Sequence, residues 1–217
     1  DGYPISGIFS TGADLESRQE RADNGYLALN GGGGEIYRNF FYLPPREYSV
    51  GQFVRSFYNR FDPRACTDRF SENAYFSALE EKVMNVLNTR ETRLSRRHIE
   101  CLYPLFRCRF WMGRNNSVNN CFGPAMTPFI EYAPVKMAMG IPIKDKNYGC
   151  FQGRMISRIS KELASFTSAY GHSFANEPGL TRILKEWLVM HRPPALRKVT
   201  YRLKSRVQSA RRPYFLG

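Results

Sequence analysis

Asn30-Gly31-Gly32-Gly33-Gly34-Glu35 sets four consecutive glycines between an amide and a carboxylate. Glycine loses more backbone freedom on folding than any other residue, so such a run suits a place where φ must be positive or where another group must come close. Tyr26–Leu29 before it reads as a short buried strand, and Ile36–Tyr42 after it as the start of a helix. Strand, glycine turn and helix is the context in which backbone N–H groups approach a phosphate. The run matches neither G-x-G-x-x-G nor the P-loop, so a flexible hinge is the competing reading.

A second segment, Arg107–Asn120, interleaves cations, aromatic rings and amides. Such a surface can stack on bases or hold phosphates. The competing reading is a helix end whose Asn side chains satisfy loop backbone. His98, His172 and His191 each lack a second ligand at metal spacing, and no G-x-S-x-G elbow supports a Ser–His–Asp site. The five cysteines, Cys66, Cys101, Cys108, Cys121 and Cys150, form no C-x-x-C pair. They read as reduced thiols, and the expected location is cytoplasmic. The chain opens at Asp1 without Met or an apolar signal segment, which reads as part of a longer or trimmed protein.

The elements that must position these groups are mostly helical. Helices are expected over Asp14–Asn24, Val50–Asn59, Glu72–Arg90, Ser95–Arg114 (interrupted at Pro104), Tyr132–Met139, Gly153–Phe166, Leu180–His191 and Leu196–Ala210. Asn115–Pro128 reads as a loop, and Asp1–Thr11 as a loop with a short strand. The 217 residues, 42% hydrophobic and 14% aromatic, can bury a core, and no stretch is apolar enough to span a membrane. The net charge of +13 is uneven. Residues 1–89 carry 9 basic and 12 acidic side chains, residues 90–152 carry 10 and 4, and residues 153–217 carry 13 and 3. That basic rear can neutralise phosphates on a nucleic acid, a nucleotide or anionic lipid; the competing reading is a solvated face, or a patch facing an acidic segment or partner chain.

Three segments in order resemble the synthetase domain of asparagine synthetase. Leu29–Arg38 is similar to the family's glycine motif S-G-x-G-x-D-E-L-F-G-G-Y. Arg114-Asn115-Asn116-Ser117 through Thr127-Pro128-Phe129-Ile130-Glu131 resembles the stretch ending E-x-R-x-P-F-L-D. Ile141-Pro142-Ile143-Lys144 through Arg154–Arg158 resembles the stretch that carries a lysine before K-x-x-L-R. The Arg109–Arg114 and Tyr170–Phe174 regions are also similar to homologues from bacterial surface-polysaccharide clusters.

The resemblance implies an α/β fold, predominantly helical: the C-terminal part of an adenine-nucleotide alpha-hydrolase-like (PP-loop type) domain, its first strands upstream. Residues 1–45 would form the strand and glycine-loop segment of a nucleotide-binding core, 46–195 a helical synthetase-like region and 196–217 a basic C-terminal helix or tail. It implies an ATP-dependent ligase, converting ATP to AMP and pyrophosphate and forming an amide from a carboxylate substrate through an acyl-adenylate. Glu35 would orient Mg²⁺ or substrate and, with Arg154, serve the chemistry; Gly31, Gly32, Gly33, Gly34 and Lys144 would face the nucleotide's phosphates. The sequence also departs from the pattern. The S-G-G-x-D-S loop has only faint echoes at Ser6-Gly7 and Ser10–Asp14, and Gly34 and Gly31 stand where the family has acids. Arg154 replaces a lysine; it stays protonated, so it can bind an anion but cannot act as a base. The alternative expectation is a degenerate, non-catalytic homologue, or a basic module that binds nucleic acid or an anionic polymer.

Overall fold

In the computed structural model, residues 12–59, 61, 66–168, 171–197, 199–200 and 203 are described. The expected strand in Asp1–Thr11 and most of the final basic helix lie outside them. The fold is α/β and mostly helical. In chain order the elements are α1 (Gly12–Asp23), β1 (Ala28–Leu29), a 3₁₀ turn (Gly34–Tyr37), β2 (Tyr48–Ser49), α2 (Val50–Phe57), α3 (Glu72–Leu87), β3 (Arg93–Leu94) and α4 (Arg96–Leu102). A π-helix (Tyr103–Met112) continues from α4 into α5 (Gly113–Asn119), followed by β4 (Ala125–Met126) and a 3₁₀ turn (Pro128–Ile130). The chain then forms α6 (Tyr132–Gly140), α7 (Ile143–Lys146), a 3₁₀ turn (Asn147–Gly149), α8 (Cys150–Ile159), α9 (Lys161–Ser165) and α10 (Leu180–Met190). Two compact units result, Asp1–Phe40 with Glu100–Glu177, and Phe41–Ile99 with Pro178–Gly217.

The first unit contains the parallel pair β1–β4, with Ala28 opposite Ala125 and Leu29 opposite Met126. Its buried apolar residues include Ile36, Tyr37, Tyr103, Cys108, Met112 and Ile143. Tyr26, Leu27 and Leu29 are exposed, so this is a two-residue ladder at the surface and not the buried strand expected there. Pro104 does not interrupt the helix as expected: the segment passes through it in π register. A proline removes one N–H, and a changed i→i+5 ladder tolerates the loss. The expected loop over Asn115–Pro128 is helical up to Asn119. Asn116 and Asn119 are held by tertiary bonds, Asn116 Oδ1 accepting from Thr127 Oγ1 (2.7 Å) and Asn119 Oδ1 from Arg18 and Arg21. The expected single helix over Gly153–Phe166 breaks at Ser160. Its backbone is extended there and its Oγ accepts from Leu163 N–H (3.0 Å), the N-cap bond that starts α9.

The second unit begins with the antiparallel pair β2–β3. Ser49 and Gln52 form a capping box: Ser49 Oγ accepts from Gln52 N–H (3.1 Å), and Gln52 Oε1 from Ser49 N–H (3.0 Å). Phe41, Phe53 and Phe57 pack at centroid separations of 5.3 Å (Phe41–Phe53) and 4.9 Å (Phe41–Phe57), with Val54, Leu94 and Ile99 buried in the same unit. Asn88, at φ 48°, ends α3 in a left-handed cap.

Candidate functional site

The glycine turn lies in the first unit and is closed by its own chain. Asn30 Oδ1 accepts from Gly32 N–H (2.8 Å), Gly31 O from Gly34 N–H (3.4 Å) and Gly33 O from Ile36 N–H (3.0 Å). Gly33 is left-handed (φ 91°), and a Cβ there would lie 2.4 Å from Ile130 Cγ2. A Cβ on Gly32 would lie 2.5 Å from Met112 Sδ. On the Cβ side of these two glycines the space is taken by two side chains of the protein. The glycines lead into one 3₁₀ turn of four residues, Gly34–Tyr37, not the expected helix. So short an element gathers little dipole at its start.

The three segments that carry the family resemblance meet around this turn. Phe129 packs on Gly34 and, edge-on, against Tyr37 (5.8 Å between centroids), while Phe151 of α8 stacks on the same tyrosine (5.6 Å). Asn39 Nδ2 donates to Asn147 Oδ1 (2.8 Å), and Asn39 N–H to Lys146 O (3.3 Å).

Glu35 emerges from the turn into a polar cluster. Its Oε2 accepts from Tyr103 Oη (2.7 Å), and its Oε1 lies 3.8 Å from Arg38 Nη2. Tyr103 and Cys108 stand on one face of the π-helix because i→i+5 winding aligns residues four to five apart. Met112 continues that face towards Gly32. Burial raises the Tyr103 hydroxyl far above its ordinary range, and Glu35 adds to the shift through its hydrogen bond and charge. Burial, with the charge of Glu35, pushes the Cys108 thiol up to about 12, against a smaller lowering by Arg107. Both therefore stay protonated at neutral pH, Tyr103 as a donor to the carboxylate. The Arg107 guanidinium lies 5.2 Å from the Phe40 ring centroid and 4.9 Å from that of Trp111.

The other residues named from the sequence lie elsewhere in this unit. Arg154, on α8, is mostly exposed; its Nη2 lies 3.8 Å from Asp145 Oδ1 and its Nε donates to Cys150 O (3.4 Å). Lys144, on α7, is exposed. Two residues on, Lys146 is buried and its Nζ lies 3.2 Å from Glu100 Oε2. Sequence reasoning missed Tyr103, Lys146 and Glu100, whose separations of 68 residues (Tyr103 from Glu35) and 46 (Lys146 from Glu100) leave no local signal, and gave no role to Arg38, whose i,i+3 spacing from Glu35 was a local signal.

Mg²⁺, which the resemblance implies at Glu35, does not fit these residues. One carboxylate oxygen already accepts from Tyr103 and the other faces Arg38, whose charge opposes a cation. Among the described residues no three His, Cys, Asp or Glu side chains group as metal ligands. The Gly32, Gly34 and Ile36 N–H groups, which a pyrophosphate would use, are already bonded within the turn. Among the described residues no helix is long and apolar enough to cross a membrane. No family model, no curated protein and no solved structure matches the chain.

Proposed function

We propose that this chain is a non-catalytic, anion-binding protein that has the segment order of an asparagine synthetase without its working site, and that its basic rear takes a nucleic acid. The observation that carries the reading is the closed glycine turn. The Gly32, Gly34 and Ile36 N–H groups that would meet phosphates bond within the turn, Met112 and Ile130 crowd Gly32 and Gly33, and Tyr103 and Arg38 engage the one carboxylate that would serve the chemistry. What the chain offers besides is charge.

The basic rear is rich in arginine, with Arg197, Arg202, Arg206, Arg211 and Arg212 in its last 23 residues and no acid among them. Guanidinium groups match phosphate oxygens two at a time, which favours a phosphodiester polymer over a carboxylate one. Association is driven by counterion release from the polymer, so affinity must fall steeply with salt.

The test is fluorescence anisotropy of a 20-nucleotide RNA, a DNA of the same sequence and heparin across 50–300 mM salt. The expected result is a log–log slope corresponding to several released counterions on RNA or DNA, reduced by about 0.7–0.9 for each arginine of Arg202, Arg206, Arg211 and Arg212 replaced by Gln. A flat salt dependence rejects nucleic-acid binding, and a preference for heparin rejects the phosphodiester. ATP–pyrophosphate exchange with Mg²⁺ present is expected to be nil. Exchange that Glu35→Ala abolishes would restore the synthetase reading, with ATP and Mg²⁺ as its cofactors.

A further inference from the structure

The second unit holds a cavity of about 430 Å³, within the size range of small-molecule sites. Arg46, Arg192 and Arg197 line it together with His191, and Leu43 and Met190 contribute apolar wall. No carboxylate lines it among the described residues. We propose that this cavity binds a small organic phosphate, a phosphate monoester whose dianion meets Arg46 and Arg192 and whose carbon body fills the apolar remainder.

The cations are set in place by the fold. Pro193 and Pro194 follow the end of α10, so the chain turns away and Arg197 reaches back to it. Arg197 Nη2 donates to Met190 O (3.1 Å) and to Tyr42 O (2.8 Å), and its Nε donates to Arg192 O (3.1 Å). Its charge is thereby fixed at the cavity wall as a cap on the last helical carbonyls. Arg192 Nη1 donates to Thr200 Oγ1 (3.0 Å), which orients its guanidinium. Arg46 lies over the Tyr48 ring (4.9 Å to the centroid), and Tyr48 Oη donates to Pro44 O (3.3 Å). His191 stacks on Trp187 (4.3 Å), and its Nδ1 donates to Trp187 O (2.9 Å), since a carbonyl can only accept. That bond leaves Nε2 as the ring's polar atom for a ligand hydroxyl.

Three guanidinium groups without a lining carboxylate select a dianion over a neutral ligand. The volume is several times that of inorganic phosphate, so the anion alone would leave the apolar part in contact with water. A phosphate ester satisfies both parts. The inference goes beyond nucleic-acid binding: a cavity of this size holds one small molecule, and its occupancy does not depend on a polymer held by the basic rear.

The test is isothermal titration of the full 217-residue chain at 150 mM salt with adenosine monophosphate, glucose 6-phosphate, adenosine, glucose and inorganic phosphate. One or both esters are expected to bind saturably, at least about tenfold more tightly than the parent alcohols or inorganic phosphate, and Arg46→Ala or Arg192→Ala to cost about tenfold or more. Circular dichroism of each variant checks that it folds, and Arg46, which is exposed, is the safer of the two. Binding of adenosine monophosphate alone assigns a nucleotide, and binding of both esters a general phosphate ester. Absence of saturable binding, equal binding by folded variants, or inorganic phosphate binding as well as the esters each overturns the proposal. RNA as competitor separates the two readings: displacement of the ester by RNA at stoichiometric concentration would mean a single polyanion surface and would overturn the cavity as a distinct site.

Discussion

Replacing the four glycines of the turn by alanine, one at a time, separates a packing role from a ligand cradle. At Gly31 the added methyl group meets nothing within 4 Å, and Gly31→Ala is expected to change unfolding free energy by less than about 0.5 kcal/mol, or to stabilise slightly by restricting the unfolded chain. At Gly32 the methyl group would stand 2.5 Å from Met112 Sδ, the far part of a flexible side chain that can swing aside, so a cost of about 1 kcal/mol is expected. Gly33 combines two penalties. Its φ of 91° costs an L-residue about 1–2 kcal/mol, and the contact at 2.4 Å with Ile130 Cγ2, backed by Phe129 backbone at 3.5 Å, adds about 1–3 kcal/mol. Gly33→Ala is therefore expected to lose about 2–5 kcal/mol in urea unfolding followed by tryptophan fluorescence. In the cycle with Ile130→Ala the steric part, about 1–3 kcal/mol, should appear as a favourable coupling, while the backbone part persists. A turn kept open for a ligand would tolerate the methyl group at Gly32 and show at Gly33 only the backbone penalty of about 1–2 kcal/mol. Gly33→Ala as stable as Gly31→Ala, or a zero coupling with Ile130, would refute the packing account of the turn.

Breaking the buried Lys146–Glu100 pair from one side, as Lys146→Met, should cost about 3–5 kcal/mol, whereas Lys146→Met with Glu100→Leu should recover much of the loss; equal stability of single and double variants would count against the pair. Tyr103→Phe leaves the Glu35 carboxylate without its donor and should cost about 1–3 kcal/mol by the same unfolding assay, an effect that should vanish in a Glu35→Leu background. The Cys108 thiol, raised from the ordinary 9 to about 12, keeps its proton in the folded state after the unfolded chain has lost it. Stability from this group is complete below pH 9 and is lost progressively between pH 9 and 12, so unfolding free energy should fall with pH across that window less steeply in Cys108→Ala than in the parent. An unchanged slope would remove Cys108 from the titration. In thiol labelling of the native protein at pH 8, exposed Cys121 should react well before buried Cys108.

Much of the helical scaffold was readable along the chain. Gly25 marks the end of α1 with φ 70° and the prolines after Arg192 stop α10, so those helices, like α3, lie within a few residues of their expected limits. The π-helix was not readable. An α-helical template places Leu105 and Phe110 inward, whereas the wider winding leaves both about half exposed and buries Tyr103, Cys108 and Met112. The site failed to show for a related reason. The glycines were legible as a place of close approach, but Met112 and Ile130, which make that approach, come from distant segments with no local pattern. Charge counting likewise treats Lys144 and Lys146 alike. Only the fold turns one outward and sets the other against Glu100. The cationic cavity draws Arg46 and Arg192 from opposite ends of a discontinuous unit, which a linear reading of basic runs does not join.

The π-helix imposes a constraint on chain length as well as on residue type. Relative to an α-helix, each of its turns accommodates additional backbone, so removing a single residue between Tyr103 and Met112 would let the segment relax to α register. The shorter, tighter segment would then change both the angle and the height at which α5 leaves it. Asn116 would leave Thr127, Asn119 would leave Arg18 and Arg21, and the strand pairing of Ala125 with Ala28 would lose its register. This stretch can therefore vary in composition far more readily than in length, and a one-residue deletion here should be more damaging than most point substitutions within it.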